Sequence, residues 1–299
     1  MVEQVPAVLM TRSQTLTFDG FIEGPFEQQF MPSYRPATAV RYRALRHQAH
    51  LSEFRQLRLD EITTGHIRGY AAHIQTKGYQ TKPYVTFIRT VLRAAVESGH
   101  LDQLPEFPPG LMQSSKKLPD APQREEVERM FGAKGWLGLA IRLAALAGMR
   151  SGEVRAVEVR DVDLDQHRIL IRRACSEDVA MTPKNDQERV VPLVPELEAC
   201  LREAMKGKLP RARLVVDENG NTPRRQQLLH RFRRFLEREG IRHWSFHALR
   251  HYFISELVRR GAGLEAVRLL AGHSKLEMTQ RYAHANAADL RSAMAKLAK

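Results

Sequence analysis

Apolar positions recur at helical spacing through the first third of the chain, and between residues 18 and 100 they predict a small all-helical unit. Across 37–54, Val40, Ala44, Leu51 and Phe54 repeat among Arg41, Arg43, Arg46 and Arg55, which predicts a helix with a basic outer face. Thr64 stands where it would cap a helix over 66–75, closed by Lys77-Gly78. Residues 83–98 put Val85, Ile88, Val91, Leu92 and Val96 on one face, and Gly99 ends the run. Residues 1–17 lack this periodicity and read as a flexible leading segment.

The pattern breaks over 104–123, where Pro105, Pro108, Pro109, Pro119 and Pro122 flank Lys116-Lys117. Proline at this density predicts a stiff, extended linker between a helical domain at 18–103 and a second domain at 124–285. In the second domain the periods mix. Residues 137–147 form an apolar helical run ended by Gly148. Residues 168–174 and 189–194 read as short strands joined through a polar segment with Lys184-Asn185-Asp186, and 226–239, 245–259 and 264–270 read as helices. The tail, 286–299, carries Ala288, Leu290, Ala293, Met294 and Leu297, an amphipathic helix suited to its own domain or to a neighbour.

Charge narrows the function. Lys plus Arg number 47 against 34 Asp plus Glu, a net charge of +13, which is the footprint of a protein that meets phosphates. Ribosomal, membrane-surface and chaperone proteins share that footprint. Arg41, Arg43, Lys82 and Arg89 in the helical domain, with Lys116 and Lys117 in the linker, are the candidate DNA contacts. No apolar run approaches the roughly 18 residues of a membrane span, and no secretory signal pattern opens the chain. Cys175 and Cys200 are too far apart for a Cys-based zinc site and too few for a disulfide framework. A cytoplasmic, nucleoid-associated protein is the expectation.

Exchange of phosphodiester bonds without a metal needs a nucleophile, fixed positive charge for the phosphoryl oxygens, and an acid for the leaving oxygen. Three segments offer these. In Gly148-Met149-Arg150-Ser151-Gly152-Glu153, the Arg150 guanidinium sits in a turn between two helices, with Glu153 near enough to orient it. In His247-Ala248-Leu249-Arg250-His251, His247 and Arg250 share a side at i, i+3. In Gly272-His273-Ser274-Lys275-Leu276-Glu277, Ser274 and Glu277 form a capping-box pattern. That pattern places His273 at a helix junction and Tyr282 two turns down the next helix. Singly, each has an ordinary explanation, Arg150 in a capping segment and Tyr282 as a packed aromatic. Their order and chemical fit argue for one site.

These motifs, ending in Gln280-Arg281-Tyr282-Ala283-His284, resemble the signature of the tyrosine recombinase (phage integrase) family, in its two-domain Xer- or integrase-like form. The resemblance implies an N-terminal all-α core-binding (SAM-like) domain. It also implies a mainly α catalytic domain with a small antiparallel β-sheet, the α+β fold of DNA breaking-rejoining enzymes. By resemblance Tyr282 is the nucleophile, Arg150 and Arg250 are the catalytic arginines, His247 assists proton transfer from Tyr282, and His273 completes the site. Residues 181–193 look like the family's β-hairpin, making Lys184 the acid for the leaving 5′ oxygen, and Glu153 matches the acidic position beside the first arginine. Tyr252 departs from the family, which often has Thr there. The roughly 16 residues before the helical domain look too short for an arm-type DNA-binding domain. The implied partners are double-stranded DNA, three further copies of the chain in a synaptic tetramer built from free monomers, and accessory DNA-bending proteins. The implied reaction needs no cofactor, neither metal nor ATP.

Other readings are weaker. His243, His247 and His251 stand at i, i+4, i+8, but no His-Glu-x-x-His pattern or third ligand accompanies them. Asp161-x-Asp163-x-Asp165 opens like a calcium loop, then fails at Gln166 and Arg172, and reads as a solvated turn. A non-catalytic DNA binder on the same fold, or a type IB topoisomerase-like nicking and closing enzyme, would use the same motifs.

Overall fold

The computed structural model describes residues 16–47, 51–112, 120–176, 179–181 and 188–282. The chain divides into two compact units, residues 1–116 and 117–299.

The first unit is helical. Thr17 starts α1 (Phe18–Phe21) by accepting a 3.1 Å hydrogen bond from the Gly20 amide, and a π-helical stretch continues over Ile22–Phe30. Next come α2 (Pro36–Arg46), α3 (Ser52–Arg55), α4 (Thr64–Thr76) and α5 (Thr81–Glu97). The 37–54 pattern is therefore two helices. The first ends at Arg46, which leaves Val40 half exposed while Ala39, Leu45, Leu51 and Phe54 fill the core. Thr63, one residue earlier than expected, caps α4. The neighbouring Thr64 hydroxyl donates instead to the Glu106 carbonyl at 2.9 Å. Leu104, Phe107, Leu111 and Met112 pack on this unit's core, so the start of the proline-rich stretch is part of the first unit's fold.

The second unit is mainly α with small antiparallel sheets. Its helices α6 (Arg124–Met130), α7 (Gly135–Leu146) and α8 (Ser151–Ala156) precede strands β1 (Val162–Asp163), β2 (Arg168–Ile171), β3 (Ala174–Ser176), β4 (Val179–Met181) and β5 (Arg189–Pro192). Strands β1, β2 and β5 form one sheet, with Ile169 opposite Val191, while β3 and β4 pair separately. Then follow α9 (Pro195–Met205), α10 (Arg225–Arg238), α11 (Ala248–Arg259), α12 (Leu264–Ala271) and the short α13 (Glu277–Gln280). Apolar around most of its circumference, α7 packs against α8, α9, α10 and α11 at the centre.

Three expectations are corrected. Helix α11 starts at Ala248, three residues later than the pattern suggested, with His247 as its N-cap and His243 outside it. Asp161 is buried, with Arg172 reaching it at 2.8 Å and Arg173 also bonded to it, so the solvated turn expected before the Arg168 strand is confined to residues 164–167. Ser274 caps no helix, because α13 begins at Glu277 behind Leu276 and spans four residues. Tyr282 therefore lies in the turn beyond α13, its amide bonded to the Thr279 carbonyl at 3.0 Å.

Candidate active site

Two helix ends build the site. Gly148 follows α7 with φ +61°, and a Cβ there would press into the Phe253 ring at 2.4 Å. Gly272 closes α12 in the same left-handed conformation. Both turns leave carbonyls directed at cations. Arg250, on α11 and only 2% exposed, donates through Nη1 to the Gly148 carbonyl and through Nη2 to the Ala271 carbonyl. Arg150, the N-cap of α8, donates through Nη2 to the Gly272 carbonyl at 3.1 Å. The negative ends of α7 and α12 thus help two guanidiniums coexist. Each guanidinium has five N–H donors, so several remain for a ligand.

Glu153 anchors the arrangement from below. It is 1% exposed and accepts from the Arg150 backbone at 2.8 Å and from Arg150 Nη1 at 2.8 Å. Arg189, at the start of β5, grips the same carboxylate at 3.1 and 2.7 Å and donates through Nε to the Leu270 carbonyl at 2.9 Å. Burial pulls the Glu153 pKa up, but the bonds and charge of Arg189, with Arg150 behind them, outweigh it and hold the group down at about 2. Arg189 was not among the sequence candidates. Its signal was an arginine on the inward face of a strand, sharing that face with Val191, where a charge needs a buried partner.

The histidines flank this cluster. His273 is buried, and its Nδ1 is 2.9 Å from the Thr279 hydroxyl. Burial first, then Arg250, Arg150 and Arg189, push its pKa down to about 4. His247 keeps an exposed edge, yet desolvation of its packed side, followed by His251, Arg250 and Arg150, lowers its pKa too. Arg250 is pulled down to about 9, mainly by burial and then by Arg150, and stays charged at neutral pH. Tyr282 is 8% exposed, and burial pushes its phenol up to about 12 against the pull of Arg250. Its hydroxyl is hydrogen-bonded to His251 Nδ1.

Arg150, Arg250, His247, His273, Glu153 and Tyr282 therefore converge. Beside them a cleft of about 570 Å³ is lined in part by Arg189, Arg268, Gly272 and His273. Lys184, Lys116 and Lys117 lie outside the described residues, as does the 286–299 tail. In the first unit, Arg41 and Lys82 are exposed, Arg43 is paired with Glu27, and Arg89 lies over the Phe107 ring at 5.8 Å. Such a cluster of cations, neutral imidazoles and one phenol suits the binding of a phosphodiester and nucleophilic attack on it.

Comparison with known proteins points the same way. The family model described as the phage integrase family matches residues 120–289. The tyrosine recombinase XerD of Pseudomonas aeruginosa is 30% identical over 248 residues, covering 77% of this chain and 80% of that protein. The tyrosine recombinase XerC of Natranaerobius thermophilus is 24% identical over 257 residues, covering 79% and 83%. Among solved structures, the Tn1549 transposon integrase in complex with transposon right end DNA matches with a TM-score of 0.80 at 17% identity, over 95% of this chain and 100% of that one. A lambda integrase tetramer bound to a Holliday junction matches with a TM-score of 0.71 at 15% identity, over 91% and 78%. At these identities the structural likeness speaks for the fold.

Proposed function

Because the chain belongs to the phage integrase family and is a DNA-cleaving and rejoining tyrosine recombinase, we propose that it works through a covalent bond between Tyr282 and the 3′ phosphate of duplex DNA. The observation that carries this reading is the convergence of Arg150, Arg250, His247, His273 and Tyr282 on one patch of the second unit.

Arg150 and Arg250 hold the non-bridging oxygens of the scissile phosphate, and His273 adds a donor. All three gain as charge builds on the pentavalent phosphorus, and losing one such group costs about 2.7–4 kcal/mol of barrier. The Tyr282 oxygen attacks phosphorus, the bond to the 5′ oxygen breaks, and that oxygen takes a proton from Lys184. His247 faces the same phosphate from the start of α11. The phosphotyrosine stores the bond energy, so resealing onto a new 5′ hydroxyl requires neither ATP nor a metal.

Arg41, Arg43, Lys82 and Arg89 of the first unit, with Lys116 and Lys117 of the connection, contact the phosphates of the duplex, so affinity falls steeply with salt. Monomers free in solution assemble as four protomers on two DNA sites and exchange strands through a Holliday junction, the state in which the lambda integrase relative was captured. Accessory DNA-bending proteins help to shape that complex. No described helix is long and apolar enough to cross a membrane. The protein acts in the cytoplasm, on the nucleoid.

The test is covalent capture. Wild type and Tyr282→Phe are incubated with fragmented host and flanking DNA, denatured in SDS, and the attached DNA is sequenced. Attachment by wild type alone, at a recurring sequence and with a chelator present, is expected. Salt-sensitive binding by both proteins with attachment by neither would overturn the covalent mechanism. Relaxation of supercoiled plasmid without exchange between two sites would instead indicate nicking and closing.

A further inference from the structure

We propose that His251, rather than His247, is the catalytic base that takes the proton from Tyr282 during attack, an assignment that rests on the covalent reading above. The geometry is direct. His251 lies on α11 one turn after His247, and its Nδ1 is the hydrogen-bond partner of the Tyr282 hydroxyl. The two rings lie 5.8 Å apart between centroids. The His247 ring meets the His251 ring edge to face at 4.7 Å and restricts its swing. His251 thus touches the attacking atom, while His247 stands one ring further away.

The surroundings suit a base. The charged and titratable groups facing His251 are Arg250 on its own helix, His247 at the helix start, His273 from the α12–α13 junction, and Tyr282. Burial, then Arg250, lowers the His251 pKa, so the imidazole is neutral at pH 7 and keeps a lone pair for the phenol. Acceptance at Nδ1 requires the Nε2–H tautomer. The buried phenol, pushed up to about 12, does not ionise unaided, so its proton has to leave as the new bond forms. In that step the Tyr282 oxygen bonds to phosphorus as its O–H bond breaks, and the proton passes to His251 Nδ1. The bond from phosphorus to the 5′ oxygen breaks, and that oxygen is protonated from Lys184. The approaching phosphate favours the imidazolium that results. Resealing returns the proton from His251 to the departing phenol oxygen.

Two readouts test this. In the DNA-free full chain, ¹⁵N NMR of histidine should show His251 as the Nε2–H tautomer, with an Nδ1 shift that moves in Tyr282→Phe. A protonated Nδ1, or a shift indifferent to Tyr282, overturns the assignment. On the duplex recovered by covalent capture, the single-turnover rate of attachment should fall below the His251 pKa in wild type. His251→Ala should lose about 100-fold or more and lose that acid limb, and added imidazole should restore part of the rate. His251→Gln separates chemistry from positioning, since an amide can hold the phenol but cannot take its proton. It should be as slow as His251→Ala. A His251→Gln rate near wild type, with capture intact, overturns His251 as base and leaves the covalent reading standing. Absence of Tyr282-dependent capture overturns both.

Discussion

Both units have an apolar core, and they differ in what is buried beside it. In the first, aliphatic side chains are interleaved with aromatic pairs: Phe18 meets Phe54 edge-on at 5.2 Å, Phe26 stacks on Phe30 at 5.9 Å, and Tyr42 leans on Phe87 at 5.3 Å. Among its described residues, Thr81 is the buried polar side chain. The second unit instead buries Glu153, Arg155, Glu158, Asp161, Arg189, Arg250, His273 and Thr279. Burying charge is costly unless each group is paired and hydrogen-bonded. In the second unit the cost falls largely where helix ends, carbonyls and one carboxylate hold three arginines in place. An apolar core alone makes a stable surface for presenting Lys and Arg, whereas paired charges buried beside one make a preorganised site. Both tryptophans, Trp136 and Trp244, lie in the second unit, so their fluorescence reports its unfolding separately.

The largest expected effect comes from breaking the charged core. Glu153→Gln leaves Arg189 without its buried counter-charge, and should cost the second unit about 3–5 kcal/mol in urea denaturation followed by tryptophan fluorescence. Replacing both partners, Glu153→Leu with Arg189→Met, should recover much of that stability while leaving DNA cleavage abolished. A double variant no more stable than the single one would show that the pair contributes net stability.

Next in size is the glycine under Phe253. Gly148→Ala meets both the left-handed backbone cost and a ring with no room, and should lose about 1–3 kcal/mol from overpacking on top of about 1–2 kcal/mol from the backbone. Gly78 in the first unit has φ +76° and open space around its Cβ position. Gly78→Ala should therefore show the backbone cost alone in thermal melts. Equal losses would refute the packing account.

Acid should separate the units further. Folded His273 binds a proton only near pH 4, against 6.5 as its ordinary value. The unfolded chain takes up more protons in that window, so this contribution is fully present above about pH 6.5 and is lost as pH falls towards 4. Glu153, held near 2 against an ordinary 4.5, extends the loss below pH 4.5. Fluorescence-detected melts of the second unit should therefore fall from pH 7 to 4, and His273→Gln should flatten the slope. A flat wild-type profile would contradict the burial argument.

The smallest effect lies on the first unit's surface. Arg41→Ala should leave stability within about 0.5 kcal/mol and reduce the salt slope of DNA binding by about 1. An unchanged slope would remove Arg41 from the DNA contacts.

What the sequence determined by itself follows from local periodicity and local chemistry. The apolar stripes of α5 and α10 and the apolar run of α7 were legible because helical spacing is a property of consecutive residues. So were Arg150 between two helices and the His247-to-Arg250 box, since each motif is short and carries its own turn signals. The split of 37–54 into two helices was not legible, because one apolar stripe can be drawn through either arrangement. Nor was the position of Tyr282, where a capping-box pattern promised a longer helix than the chain forms. Only the tertiary structure decided which cation answers Glu153 and which imidazole meets Tyr282. Arg189 meets Glu153 at a sequence separation of 36, and His251 meets Tyr282 at a separation of 31. Such pairings depend on how β5, α11 and the turn after α13 pack, and no local pattern encodes the direction in which a buried charge finds its partner.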